Sequence, residues 1–202
     1  MAVNLQKGQR ISLTKDNAGL SKIMVGLGWD PVAQNSGKGL LGSLFGSSAP
    51  NIDCDSSVFM LDGNGKVRGK EDVIYFGNLK HRSGSVQHMG DNLTGDGDGD
   101  DEQVMVNLSS VPQDISKLVF VVNIYDCIKR RQHFGMIRNA FIRIVNMGNN
   151  QEMVRFNLTD DYSNKTALFV AEIYRHGSEW KFAAIGEGDN SANISEMLAK
   201  YR

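Results

Sequence analysis

Short apolar runs rich in Val, Ile and Phe recur along the chain, and Gly, Asn, Asp and Ser cut between them. β-branched and aromatic residues fit a pleated, half-buried surface, and such punctuation is how strands are separated. The runs at 22–28, 57–61, 72–76, 85–88, 103–108, 117–125, 140–146, 152–158, 166–175 and 180–186 are predicted strands, with one more at 4–14 broken around Gly8. Several alternate. Val104, Val106 and Leu108 share one face, whereas Arg143 interrupts an otherwise apolar run. Asp62-Gly63-Asn64-Gly65 has the chemistry of a hairpin turn, and His176-Gly177-Ser178 separates two further strands. Helical periodicity is scarce. Residues 193–201 are good helix formers with a cap at Ser191 or Asn193, and a helical turn is possible at 128–134. Many short strands with close turns predict an all-β fold, a sandwich of two mainly antiparallel sheets with a short C-terminal helix.

At 202 residues the chain suits a single domain spanning 1–202. One stretch reads as inserted. Residues 33–50 are rich in Gly and Ser and end in Pro, as a flexible loop would, yet their centre, Leu40-Leu41-Gly42-Ser43-Leu44-Phe45, is apolar. It reads either as a flap packed on the body or as a segment that binds a partner. The start, MAVNLQKGQRISL, lacks the apolar core of a signal peptide, and no run approaches the length of a membrane span. Cys54 and Cys127 are far apart and form no paired motif. These features predict a soluble, cytoplasmic protein.

The charge balance is uneven. The formal net charge is only −1, which suggests no nucleic-acid partner. Yet six of the twelve residues from Asp91 to Glu102 are acidic and none is basic, so the rest of the chain is about five charges positive. In this loop Asp91, Asn92, Asp96, Asp98, Asp100, Asp101 and Glu102 supply oxygen donors, and Gly95, Gly97 and Gly99 alternate with the acids. Hard cations such as Ca²⁺ want six to eight oxygens, and glycine lets the backbone turn tightly and offer carbonyls. Carboxylates packed this closely repel by about 1 kcal/mol per close pair in water, a conflict that a divalent ion removes. Asp96-Gly97-Asp98-Gly99-Asp100 opens like an EF-hand loop, but the sixth position is Asp101 rather than Gly and the twelfth is Asn107 rather than Glu. A second segment is therefore needed to close the site. Asp53-Cys54-Asp55-Ser56-Ser57 is the candidate, because in an extended chain Asp53, Asp55 and Ser57 point one way and Cys54 the other.

Other chemistry is weak. His81, His88, His133 and His176 have no metal-ligand spacing, no serine sits in G-x-S-x-G, and no G-x-x-x-x-G-K-S phosphate loop is present. Lys129-Arg130-Arg131 reads as a solvated loop end, and Trp29 and Trp180 as core or strand-pair residues.

Taken together, these residues resemble the TerD family, calcium-binding proteins of bacterial tellurite-resistance and stress operons. Leu5-Gln6-Lys7-Gly8-Gln9 with Ser12-Leu13-Thr14-Lys15 resembles the family's opening. Val25-Gly26-Leu27-Gly28-Trp29-Asp30 resembles its V-G-L-G-W-D motif, and Asp53-Cys54-Asp55-Ser56-Ser57 its D-L-D-x-S motif. Gly90 to Glu102 matches its long acidic signature, and similarity continues through 120–126, 134–136, 140–143, 172–175 and 179–182. The resemblance implies a two-sheet sandwich holding two neighbouring Ca²⁺ ions. It implies ligands among Asp53, Asp55, Asp91, Asn92, Asp98, Asp100, Asp101 and Glu102, with main-chain oxygen from Gly95, and Asp96 and Asn78 as weaker members. The chain departs from the pattern in its longer 33–50 segment, in Cys54 at the middle of D-L-D, and in a helical end where the family has a glycine-rich tail.

The function so implied is a non-enzymatic, Ca²⁺-dependent binding or scaffold module in tellurite and chemical-stress resistance, with other proteins of that system as partners. Two alternatives stand beside it: a metal-dependent enzyme on phosphate esters with His88 as helper, and a binding module for a small ligand such as a cyclic nucleotide.

Overall fold

The computed structural model describes residues 2–17, 19–32, 52–90 and 99–202. The expected insertion at 33–50 lies outside the described residues. Twelve strands lie within them: β1 (Val3–Leu5), β2 (Arg10–Ser12), β3 (Lys22–Pro31), β4 (Cys54–Asp62), β5 (Val73–Ile74), β6 (Val86–His88), β7 (Glu102–Asn107), β8 (Ile115–Ile124), β9 (Ile137–Asn146), β10 (Gln151–Asn157), β11 (Ala167–His176) and β12 (Glu179–Asp189). Two short helices join them, α1 (Cys127–Arg130) and α2 (Ile194–Leu198). The strands form two six-stranded sheets, ordered β1-β10-β9-β3-β7-β6 and β2-β12-β11-β8-β4-β5. The β1–β10 pair is parallel and the other pairs are antiparallel. The expected all-β sandwich with a C-terminal helix is the observed fold.

The break expected at Gly8 moves the chain from one sheet to the other. β1 pairs in the first sheet and β2 in the second, and Gly8 between them adopts φ +82°, a conformation that favours glycine. The run at 72–76 shortens to the two residues of β5, because a 3-10 turn takes Lys70–Asp72 and Tyr75 turns back to bond Asn78. The helical turn expected at 128–134 resolves into α1 and a separate 3-10 turn at Phe134–Met136.

The sheets close over one main core. From β4, Val58 and Met60 point into it together with Cys54, while the alternate residues Phe59 and Leu61 point away from it. In most sandwiches that second face would be wet. Here Phe59, Leu61, Val119, Val121 and Phe169 form a second cluster, roofed by Met197 of α2, itself fully buried. Tyr201 meets Phe59 and Phe169 edge-on, with ring centroids 5.9 and 6.1 Å away. Burial on both faces explains why 117–125 reads as an unbroken apolar run rather than an alternating one. Asn193 caps α2 by accepting from Glu196 N–H, and Glu196 accepts in return from Ala192 N–H.

The C-terminal roof is tied down by Asp189. Burial raises its carboxyl, but bonds from Lys200 Nζ (2.8 Å) and from Ser191 outweigh this and hold it at about 2. A depressed carboxylate stabilises above its unfolded value, and that stability is lost as pH falls through the folded value. Asp189→Asn is therefore expected to cost about 1 kcal/mol at pH 7, after allowance for solvent screening. The wild-type advantage should shrink as pH drops from about 4 to about 2. Urea titrations of both proteins across that window check it; a pH-independent difference would assign the effect to shape rather than charge.

Candidate metal centre

Glycines in β3 make room for the acidic segment. Gly26 lies between Arg143 of β9 and Gln103 of β7 in the sheet register. A side-chain carbon added at Gly26 would lie 2.3 Å from the Asp100 carboxyl carbon, and one at Gly28 would lie 2.6 Å from the Gly99 carbonyl oxygen and 2.5 Å from the Phe141 ring. The end of the acidic segment thus fills the space that side chains at 26 and 28 would take. Asp100, its side chain wholly buried, accepts from Arg143 Nε (2.7 Å), Arg143 Nη2 (2.9 Å) and Gln103 Nε2 (3.2 Å). This two-pronged pair is the strong form of an arginine–carboxylate bond. Glu152 accepts from the same Arg143 and from Arg155, which also lies 4.3 Å over the Phe141 ring.

Gly28→Ala is expected to lower stability by about 1–3 kcal/mol, the usual cost of overpacking. The Phe141 ring can move, but the Gly99 carbonyl belongs to the backbone. A thermal melt of the variant at wild-type temperature would contradict the close approach.

From Asp100 the chain enters β7 against β3. Asp101 N–H donates to the Leu27 carbonyl (2.8 Å), and Asp101 Oδ2 accepts from Trp29 N–H (2.7 Å). Glu102 then turns inward on the same face as Val104 and Val106 and reaches the other sheet, where its Oε2 accepts from Ser56 N–H at 2.7 Å. Ser56 Oγ lies 3.0 Å from His88 Nε2, which is also 3.4 Å from Glu102. The Gly90 N–H donates to His88 Nδ1 (3.2 Å), so the ring proton sits on Nε2 and points at Ser56 and Glu102. Glu102, Ser56 and His88 are each at most 2% exposed. They form a polar strut between the sheets, a role that leaves neither nitrogen of His88 idle.

The second predicted segment arrives at the same end of the sandwich. Cys54 pairs with Ile124 and is fully buried in the main core, as the alternation expected. Burial pushes its thiol well above the ordinary range, and the negative charges of Glu102, Asp55, Asp53 and Asp101 push it further. Carboxylates from two distant stretches of chain thus lie close enough to Cys54 for their charge to act on it. Asp53 and Asp55 are 7% and 4% exposed. Burial raises Asp53 above its usual range against the pull of Arg130, with Glu102 adding to the rise. Burial likewise raises Asp101, against the Trp29 N–H bond and with Asp30, Glu102 and Asp100 adding. Arg130 Nη1 stands 3.5 Å from Asp53 Oδ2, whereas the buried Asp53 Oδ1 has no hydrogen-bond partner among the described residues. A buried carboxylate oxygen left unpaired is costly, and it fits a hard cation.

Five of the ten predicted ligands are thus placed. Asp53, Asp55, Asp101 and Glu102 all bear electrostatically on Cys54, and Asp100 is held by Arg143. Asp91, Asn92, Gly95, Asp96 and Asp98 lie outside the described residues. Among the described residues, no three His, Cys, Asp or Glu side chains form a cation cage by themselves. Asn78 is a turn residue whose amide donates to the Val73 carbonyl. Sequence reasoning missed Ser56 and Arg143. The interrupting charge of Arg143 in an apolar run was the available signal. Ser56 gave none, because its N–H meets Glu102 and its Oγ meets His88 only where the sheets close.

A family model described as the TerD domain matches residues 1–201. The chain is 62% identical over 201 residues to the stress response protein SCP2 of Bacillus subtilis (strain 168), covering all of both chains. It is 43% identical to the tellurium resistance protein TerD of Serratia marcescens, covering all of this chain and 97% of that one. In fold it is similar to a solved Streptomyces coelicolor homologue of the telluride resistance protein, with a TM-score of 0.65, 20% identity and coverage of 89% of this chain and 96% of that one.

Proposed function

The chain belongs to the TerD domain family, with relatives named for stress response and tellurium resistance, and from that premise we propose that it is a non-enzymatic, Ca²⁺-dependent binding module. The observation that carries the reading is the buried Oδ1 of Asp53, which has no hydrogen-bond partner among the described residues, in a carboxyl that burial and the charge of Glu102 raise. Asp53, Asp55, Asp101 and Glu102 are the described candidates to hold the ion. Asp91, Asn92, Gly95, Asp96 and Asp98 complete the proposed set, with room in the donor count for two ions. Asp100 enters as the anchor of the segment, since Arg143 holds both its oxygens.

What Ca²⁺ supplies is cross-linking charge. It ties the acidic loop to the start of β4, and hence one sheet to the other. The bound form would present a fixed surface to other proteins of the same stress system in the cytoplasm. Tyr125, 48% exposed and bonded through its N–H to the Asp53 carbonyl, and Ile128, 71% exposed and three residues on, are large hydrophobic side chains at that end. An enzymatic reading needs a base turned toward the ion, and His88 is turned into the strut with Ser56 and Glu102 instead. A small-ligand reading needs a phosphate cradle, for which the sequence offers no motif.

The test is equilibrium dialysis against Ca²⁺, Mg²⁺ and Mn²⁺, paired with turnover assays on phosphate mono- and diesters. Selective Ca²⁺ retention without turnover is expected. Turnover that follows Mg²⁺ or Mn²⁺ loading would replace the proposal with the enzymatic reading.

A further inference from the structure

A second set of buried titratable groups lies away from the cation site, under the turn that joins β5 to β6. Asp72 and His81 are each 1% exposed. The turn is closed by Gly84 N–H to the His81 carbonyl (2.8 Å) and His81 N–H to the Val86 carbonyl (3.0 Å), with Gly84 at φ +71°. Ser83 stands exposed at its tip. Ser83 N–H donates to His81 Nδ1 at 3.2 Å. A backbone N–H can only donate, so Nδ1 carries a lone pair and the ring proton is on Nε2. Nε2 lies 3.2 Å from Asp72 Oδ1 and donates to it. The other oxygen of Asp72 accepts from Arg68 Nε at 3.2 Å, and Arg68 also bonds Asp114. Ser83 Oγ is 2.6 Å from the same His81 Nδ1 and 2.8 Å from Ser85 Oγ, and it accepts from Ser85 N–H at 3.2 Å. The shorter contact and the better acceptor direct the Ser83 proton to the imidazole.

This is a hydroxyl on a base that a buried carboxylate orients, the logic of an activated nucleophile. The two ring nitrogens are used in the reverse of their usual order, which leaves the roles unchanged. We propose that Ser83 is a modification site that accepts an acyl group from a reactive acyl donor, of the acyl phosphate class. Ser83 Oγ forms a bond to the acyl carbon and the bond from that carbon to the leaving oxygen breaks. The hydroxyl proton passes to His81 Nδ1 and then to the leaving group. The products are the acyl ester of Ser83 and the free leaving acid, with no change of oxidation state. Asp72 holds the imidazole in the receiving tautomer and faces the positive charge that forms on it. Lys80, whose Cε lies 3.8 Å from the space beside Gly84, and the exposed Arg82 make the turn cationic. They favour an anionic donor over a neutral one.

The experiment uses the full chain with acetyl phosphate and, separately, p-nitrophenyl acetate, and reads acetylation site by site by peptide mass spectrometry. Ser109 is the internal control, exposed and bonded to Asn107 rather than to a histidine. Ser83 is expected to acetylate about 100-fold faster than Ser109, the scale of general-base help. His81→Gln and Asp72→Asn should bring it down to the Ser109 rate. Should either variant fail to fold, the same comparison on wild-type protein, native against urea-unfolded, decides: the preference must vanish on unfolding. Equal rates at Ser83 and Ser109 in native protein, or an undiminished rate in folded His81→Gln, would overturn the proposal.

Discussion

Metal-free protein is expected to melt about 8–16 °C below the same protein in 1 mM Ca²⁺. A ligand that binds only the native state stabilises it by about 4 kcal/mol when present at 1,000 times its dissociation constant. In a domain of this size each kcal/mol shifts the melting temperature by about 2–4 °C. The physical source would lie in the negative charge of buried Asp53, Asp55 and Glu102 and half-buried Asp101, all four of which act on Cys54. An ion among them turns mutual repulsion into attraction across the two sheets. The effect should follow Ca²⁺ over Mg²⁺, because crowded, irregular carboxylates suit the larger ion. Calorimetric scans in EGTA and in Ca²⁺ check it. Identical scans would remove the ion from any stabilising role.

Arg143→Ala is the substitution expected to do most damage without touching a proposed ligand. It leaves Asp100 buried and loses both prongs of the pair, and breaking such a pair costs about 3–5 kcal/mol. Glu152 loses a partner too, but keeps Arg155. Arg143→Lys should recover only part, since a single ammonium cannot reproduce the fork. Adding Asp100→Asn to Arg143→Ala should restore stability relative to the single variant, because the unpaired charge is then gone. Denaturant titrations of the wild type, Arg143→Ala, Asp100→Asn and the double variant make a double-mutant cycle. Additive losses would mean that the two groups do not act as a pair. The variant should also bind Ca²⁺ more weakly, since Asp100 fixes the path of the chain into Asp101 and Glu102.

The strands were legible because their composition and turns agree. Runs such as 22–28 and 180–186 appear with ends displaced by a few residues, where ladders continue past the apolar stretch. The double burial of β4, β8 and β11 was less so. An unbroken apolar run says that both faces are covered, but not that α2 and Tyr201 cover one of them. In the candidate centre the acids were evident from their density, and alternation correctly sent Cys54 into the core. Partners hidden from sequence are those set by register across the sheets. Gly26 faces Arg143 only because β3 pairs with β9, and Glu102 meets Ser56 only because the two sheets close. The triad of Asp72, His81 and Ser83 was equally hidden, since it depends on how a turn folds back over its own start.

Isothermal titration of Ca²⁺ into metal-free wild-type protein and into Asp53→Ala/Asp55→Ala tests the central claim, that two segments from opposite sheets hold the ion together. The wild type is predicted to bind two ions, and the double variant to lose measurable binding while keeping its β-sheet circular dichroism. Wild-type stoichiometry and affinity in a folded double variant would contradict the two-segment site and leave the acidic loop to bind alone.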